Sequence, residues 1–430
     1  MNQTQSVLRE TKWTPCYLFI AILLTTALPA SGADTESSSA AIKGLKKHLA
    51  IDEEKRPPLS EQSFAKEPLT RTDASAAGQL LWKDHVQRIR KTRMAEMKAK
   101  RLRDGELEMP FFYKVFGKKP NGGRSLFISL HGGGGGAPQQ AKQVNDQQWE
   151  NQKRLYRLEE GVYLVPRAPT NTWNLWHQGH IDRMFDRLIE NLVVFEDINP
   201  NRVYVMGYSA GGDGVYQLAP RMADRWAGAA MMAGHPNETS PLGLRNVAFT
   251  LHVGGHDKDY DRNKVALQWQ EKLGELRKAD PAGYFHWAKI YANKGHWLDR
   301  EDAAAIPWMA KQSRNPIPER VVWKQDDVTH SRFYWLAVDK ENRRGRSEVF
   351  ANRNGQQVDV KANGIDRLTL RFNDEMLDLD QPVTISSRGK QIFQGKLDRT
   401  IATLSVTLRE RGDPQLVFSA HVSFDLPKSE

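Results

Sequence analysis

The run Asn201-Arg-Val-Tyr-Val-Met-Gly-Tyr-Ser-Ala-Gly-Gly-Asp213 limits what this chain can fold into more than any other stretch. Val203 to Met206 is β-branched, aromatic and apolar, which reads as a buried strand. It runs directly into Gly207-Tyr208-Ser209-Ala210-Gly211, a G-x-S-x-G pattern. That pattern places a serine on a sharp turn between strand and helix, with its hydroxyl exposed and backbone N–H groups free nearby. A side chain at either glycine would crowd so tight a turn. Alone the five residues are a weak signal, and a plain loop is the competing reading. The flanking chain has to decide.

Upstream, Ser125 to Leu130 is a strongly apolar strand that ends at His131-Gly-Gly-Gly-Gly-Gly-Ala-Pro138. Five glycines could be no more than a flexible loop. They could also cradle phosphate, but the Lys-Ser/Thr ending of a P-loop is absent. The run matches the HGGG-type loop whose backbone N–H helps build an oxyanion hole. Such a hole needs close, unshielded backbone, which glycine permits.

Downstream, a serine hydroxyl needs a base, and the base needs a partner to fix its tautomer. Asp257 follows Ser209 at a strand exit, Gly254-Gly-His-Asp257, and His296 follows in a Gly-His turn after the last strand. Asp259 and Asp261 are rival acids deeper in the same loop. His235, His252, His256 and His286 are rival bases; His252 and His286 sit within strands and read as packing residues, while His235 and His256 are loop residues able to line a pocket. Trp173 and Trp176, on the exit loop of the strand Gly161 to Val165, read either as a hydrophobic plug or as a substrate-facing wall. The wall is the expectation, because loops at this sheet edge surround the site in α/β folds. His131, Tyr208 and His235 are the other expected substrate contacts.

The order of motifs resembles the α/β-hydrolase superfamily over about residues 108 to 312, through His131-Gly-Gly-Gly134, Gly207-Tyr-Ser-Ala-Gly211, Gly-Gly-His-Asp257 and Gly-His296. Specifically, it resembles the secreted serine esterases of feruloyl esterase and polyhydroxybutyrate depolymerase type, which are related to the prolyl-oligopeptidase-type peptidases. Pro166-Arg-Ala-Pro169, the glycine run and Asp257 with Arg262-Asn263 also resemble secreted hydrolases of environmental bacteria, planctomycete-like ones included. The resemblance implies Ser209 as nucleophile, His296 as base and Asp257 as its orienting acid. It implies the backbone N–H of Ala210, with that of Gly133 or Gly134, as oxyanion donors. The glycine run is longer than the usual motif, so the resemblance leaves open which of the two points into the hole. It implies hydrolysis of a small ester or an ester-bearing polymer, with no cofactor. A serine peptidase of the prolyl-oligopeptidase type is the alternative, although no propeller precedes the site; a non-catalytic binding protein on the same fold is a further one.

Around this core the chain divides into four. Arg9 and Lys12, the apolar stretch Tyr17 to Leu28 and the small residues Ser31 and Ala33 describe a signal peptide over 1–33, with an uncleaved anchor as the competing reading. A periplasmic or secreted protein is the expectation, without stable membrane insertion after cleavage. Residues 34–107 read as a partly ordered linker, rich in Ser, Lys, Glu and Pro, followed by an amphipathic helix with Trp82, Val86, Ile89 and Met97 on one face. Residues 108–314 alternate strands and helices, as a mostly parallel sheet with helices on both faces requires. Residues 315–430 carry short strands separated by turns, among them Thr403 to Leu408, and read as an all-β sandwich.

Composition removes other classes. The one cysteine, Cys16, falls inside the signal segment, so a mature chain has neither disulfide nor thiolate metal site. His252 and His256 have H-x-x-x-H spacing, but they lack the helix and glutamate of a zinc-protease motif, so no metal is expected. The net charge of +10 is spread along the chain and no nucleic-acid module accompanies it, so no nucleic-acid partner is expected. Oligomeric state is not legible.

Overall fold

A computed structural model describes residues 32–427. The expected signal segment therefore lies, but for its last two residues, outside the described residues. The central sheet has eight strands: β1 (Arg101–Asp104), β2 (Leu107–Phe116), β3 (Arg124–Leu130), β4 (Gly161–Pro166), β5 (Ile198–Tyr208), β6 (Gly228–Met232), β7 (Ala248–Gly254) and β8 (His286–Tyr291). Their order in space is β1-β2-β4-β3-β5-β6-β7-β8. β2 pairs antiparallel with β1 and β4, and every later pairing is parallel.

Strand alternation explains why helices must cover both faces. Leu126, Ile128, Val203 and Val205 point one way, where they share a core with Ile181, Phe185 and Leu188 of α4 (Gly179–Phe195) and with Val215 of α5 (Ala210–Arg221). Phe127, Tyr163, Tyr204 and Met206 point the other way. Trp149 of α3 (Pro138–Leu155) and Ile306 and Met309 of α7 (Ala305–Ala310) pack there. α6 (Arg262–Ala279) crosses between β7 and β8. Both faces buried is what near-continuous apolar strands require.

The N-terminal region departs from the expected loose linker. Residues 32–49 form α1 (Gly32–Leu49), and α2 spans Arg71–Ala99. Ala41, Ile42 and Leu45 of α1 share a core with Leu59, Ala65 and Leu69 of the connecting turns and with Ala74, Ala77 and Leu81 of α2. A helix needs only a narrow apolar stripe to dock, and a stripe of three residues is hidden in a polar composition. The buried stripe of α2 runs through Leu81, His85 and Ile89, with Trp82 and Val86 only half-buried beside it. His85 explains the offset: its Nε2 meets Glu190 of α4 at 2.7 Å.

Beyond residue 315 two sheets face each other. One is β10 (Arg332–Phe333), β11 (Leu336–Ala337), β14 (Arg367–Phe372) and β17 (Ala420–Asp425); the other is β16 (Lys390–Gly395), β15 (Val383–Ser387), β13 (Gln357–Asn363), β12 (Glu348–Asn354) and β9 (Arg320–Lys324), in those orders. Trp323, Val349, Val360 and Ile385 from the second meet Phe333, Leu368, Leu370 and Phe372 from the first in one core. The module is not all-β, however. The expected strand at Thr403 to Leu408 is part of α8 (Ile401–Arg411). Its β-branched residues suggested a strand, but Thr400 caps the helix by accepting from the Thr403 N–H, and Gly412 closes it in the left-handed conformation. Ile401, Leu404 and Leu408 then complete the core of α1 and α2.

Candidate active site

Ser209 sits where β5 ends and α5 begins, with φ 58° and ψ −123°. A non-glycine residue with positive φ is uncommon, and this one turns its side chain out of the sheet's upper edge. Two glycines make the turn possible. A Cβ on Gly207 would lie 2.2 Å from the Gly211 carbonyl oxygen, and one on Gly211 would lie 2.2 Å from that of Leu130.

The loops after β7 and β8 bring the remaining residues to this edge. His296 Nε2 lies 3.0 Å from Ser209 Oγ, and its Nδ1 lies 2.8 Å from Asp257 Oδ2. Buried Asp257 accepts from Nδ1–H, which leaves Nε2 free to accept the serine proton. The rival acids Asp259 and Asp261 are exposed, and Asp261 pairs with Lys264. Two of the rival bases are engaged elsewhere. His252 is buried between Thr250 Oγ1 and Tyr291 Oη, and burial holds its pKa down at about 3. With both nitrogens committed it cannot form half of a metal pair with His256. His286 Nδ1 lies 2.8 Å from the Tyr284 carbonyl oxygen.

The glycine run lies beside Ser209, but its assignment needs correcting. The Gly134 N–H donates to Asn145 Oδ1 at 2.9 Å, and Gly134's carbonyl accepts from Asn145 Nδ2. It is therefore not a free oxyanion donor. Gly132 and Gly133 line the cavity at Ser209, and a Cβ on Gly132 would stand 3.3 Å from Ser209 Cβ. With Ala210 at the first position of α5, where the N–H has no intrahelical partner, they are the donors available to a charged oxygen. Only the close approach of Gly132, invisible in a run of five identical residues, separates it from its neighbours.

Three expected substrate contacts prove to be supports. His131 is fully buried: its Nδ1–H donates to the Gly132 carbonyl at 2.6 Å, and its Nε2 accepts from the Ala168 N–H at 3.1 Å. Burial holds it neutral, with a pKa of about 3. Trp176 is also buried, donating to the His131 carbonyl at 3.0 Å and packing on Phe185. Both residues clamp the glycine loop rather than face a ligand. Tyr208 lines the cavity, yet its hydroxyl donates to the His296 carbonyl and accepts from the Leu298 N–H at 3.0 Å. Trp173 does stand out as a wall, 63% exposed. His235 joins it, held by its N–H on Asp213 Oδ1 at 2.6 Å.

Two cavities meet at Ser209. One, of about 640 Å3, is bounded by Gly132, Gly133, Tyr208, His296, Trp297 and one side of α3. The other, of about 600 Å3, is bounded by Gly133 to Gly136, Trp173, Asp213, His235, Tyr260 and Arg262. Both are within the range of small-ligand sites. Among the described residues, none beyond Arg300 lines either. A third cavity, of about 750 Å3, lies at the opposite ends of β6 and β7, against the C-terminal module, and does not touch Ser209. Ligands of open α/β sheets bind at the carboxyl ends of the strands, so its size carries no functional weight.

No family model matches the chain, and no curated protein matches it. Among solved structures it is similar to a thermostable esterase, at 19% identity and a TM-score of 0.37, over 50% of this chain and 62% of that one. It is similar to a ferulic acid esterase at 15% identity and 0.34, over 49% of this chain and 96% of that one. A Bacillus cereus carboxylesterase is similar at 13% identity and 0.32, over 53% of this chain and 98% of that one. The sheet order, with one early antiparallel strand and the serine turn at the end of β5, is the α/β-hydrolase fold.

Proposed function

We propose that this chain is a serine esterase that hydrolyses carboxylic esters through an acyl-enzyme on Ser209. The observation that carries the reading is the continuous hydrogen-bonded chain Asp257–His296–Ser209, ending on a serine held at positive φ beside backbone N–H groups that have no partner among the described residues. His296 Nε2 takes the Ser209 proton as Oγ attacks the carbonyl, and Asp257 steadies the imidazolium that forms. The N–H groups of Ala210 and of Gly132 or Gly133 stabilise the tetrahedral oxyanion, each worth about 3 kcal/mol. His296 then returns the proton to the departing alcohol. Water repeats the sequence on the acyl-enzyme and frees the acid and Ser209. A polymer-borne ester and a periplasmic or extracellular setting are supported by the aromatic loop and by the basic-then-apolar N-terminal pattern.

An ester and peptide panel tests the reading. The expected result is turnover of para-nitrophenyl esters with none of aminoacyl-proline amides. The reverse preference would make the chain a peptidase.

Tyr208 gives a finer test of how the base is held. Tyr208→Phe removes both hydrogen bonds that the hydroxyl makes to the His296 loop. A loosened base misaligns proton transfer, so kcat should fall about tenfold with KM little changed. A rise in KM at constant kcat would instead make the hydroxyl a substrate contact.

A further inference from the structure

We propose that the cavity on the His296 side of Ser209 is an oxyanion subsite, in which Arg154 and Arg300 hold a carboxylate, sulfate or phosphate carried by the leaving alcohol of the ester. The inference rests on the serine-esterase reading and specifies its substrate class.

The first ground is charge. The residues lining this cavity include two arginines and three side-chain amides, Gln148, Asn151 and Gln152, but no carboxylate. The neighbouring acids are committed elsewhere. Glu150 pairs with Lys153 at 2.5 Å, while Asp299 and Glu301 both pair with Lys294, at 2.6 and 3.0 Å. Neither the Arg154 nor the Arg300 side chain has a hydrogen bond or ion pair among the described residues. Other arginines around the site do: Arg167 holds Asp146, Arg221 holds Asp182, and Arg262 faces Asp257. Two unneutralised guanidinium groups on the wall of a concave site raise the local potential, because low-dielectric walls focus the field. Their planar donor forks match the oxygens of a carboxylate, sulfate or phosphate.

The second ground is placement. Arg154 projects from the last turn of α3. Arg300 follows Asp299, and the two have φ of 66° and 51°, a pair of left-handed non-glycine residues that sharply turns the chain just beyond His296. The two arginines thus reach one cavity from separate elements.

The third ground is chemistry. The leaving oxygen must receive its proton from His296 Nε2, so the alcohol limb leaves on the side that His296 lines. Of the two cavities at Ser209, His296 lines this one only. The other contains Asp213, and its arginine already faces Asp257, so it suits a neutral acyl limb.

The experiment compares the parent with the double variant Arg154→Gln, Arg300→Gln on acetyl esters of para-hydroxybenzoate, para-hydroxyphenyl sulfate and neutral para-hydroxybenzamide. The parent is expected to favour an anionic ester over the neutral one by about tenfold in kcat/KM, with a preference that shrinks as salt is added. In the double variant that ratio should fall to about one, and the carboxylate and sulfate arms identify which oxyanion fits better. The same ratio in both proteins would overturn the subsite. A readout independent of turnover is calorimetric titration of para-hydroxybenzoate into Ser209→Ala, with and without the arginine substitutions. Binding weakened about tenfold by those substitutions supports the subsite; equal binding overturns it. Anion binding without turnover of any ester would sink the esterase reading and leave the subsite standing. Turnover of all three esters without discrimination would do the opposite.

Discussion

Ser209→Ala is expected to lower kcat for ester hydrolysis by about 10^4- to 10^6-fold while leaving the protein folded. The substitution removes one oxygen from a residue whose conformation is set by its surroundings. The Ser209 N–H donates to the Met232 carbonyl, and its own carbonyl accepts from the Asp213 N–H, so the turn keeps its backbone bonds. What is lost is the hydroxyl that His296 Nε2 activates. The backbone donors remain, and so does the shape of both cavities; these should leave about 10^3-fold catalysis above water. Because the three residues act as a unit, adding His296→Ala to Ser209→Ala should cost almost nothing further. Initial rates with a para-nitrophenyl ester measure all of this, and fluorophosphonate labelling gives a second reading: the parent labels and the alanine variant does not. A loss smaller than about tenfold would mean that hydrolysis occurs at another nucleophile.

How much of this site was legible before the structure differs from residue to residue. Ser209, Asp257 and His296 were legible because their chemistry demands an order along the chain and a strand end before each, and both are visible in one dimension. The surroundings were not. His131 precedes the glycine run and Trp176 lies on the exit loop of β4, so both read as substrate contacts; burial, a three-dimensional property, makes them supports instead. Gly134 was indistinguishable from its neighbours until Asn145, eleven residues away on α3, was seen to occupy its N–H. Arg154 and Arg300 are far apart in sequence, and each alone is an ordinary surface charge. The fold shows the same division. Strands of the central sheet announced themselves through apolar runs, whereas α1 and α8 depend on one another's apolar stripes and neither stripe is wide enough to be read alone.

The second large effect lies away from the cavities, where the C-terminal module meets the hydrolase fold. Asp224→Ala is expected to destabilise the protein by about 3–5 kcal/mol. Asp224 sits in the turn between α5 and β6, almost fully buried. Its carboxylate meets the Arg411 guanidinium at the end of α8 and accepts from the Tyr334 N–H at 3.0 Å; its carbonyl accepts from Arg314 at 2.6 Å. One acid thus ties the central sheet to two parts of the C-terminal module. Removing it leaves Arg411 buried beside Arg225 and Arg332, in a place where burial already pushes its pKa down to about 9. The cost comes from that stranded charge rather than from the net strength of the pair, because desolvating two ions offsets most of their attraction. The double variant Asp224→Ala, Arg411→Met separates the two ideas: it removes both charges and should be more stable than Asp224→Ala alone. Denaturant midpoints of the parent, both single variants and the double variant complete the cycle. If Asp224→Ala costs less than about 1 kcal/mol, Arg411 has found water or another acid, and the contact between the modules is looser than its hydrogen bonds imply.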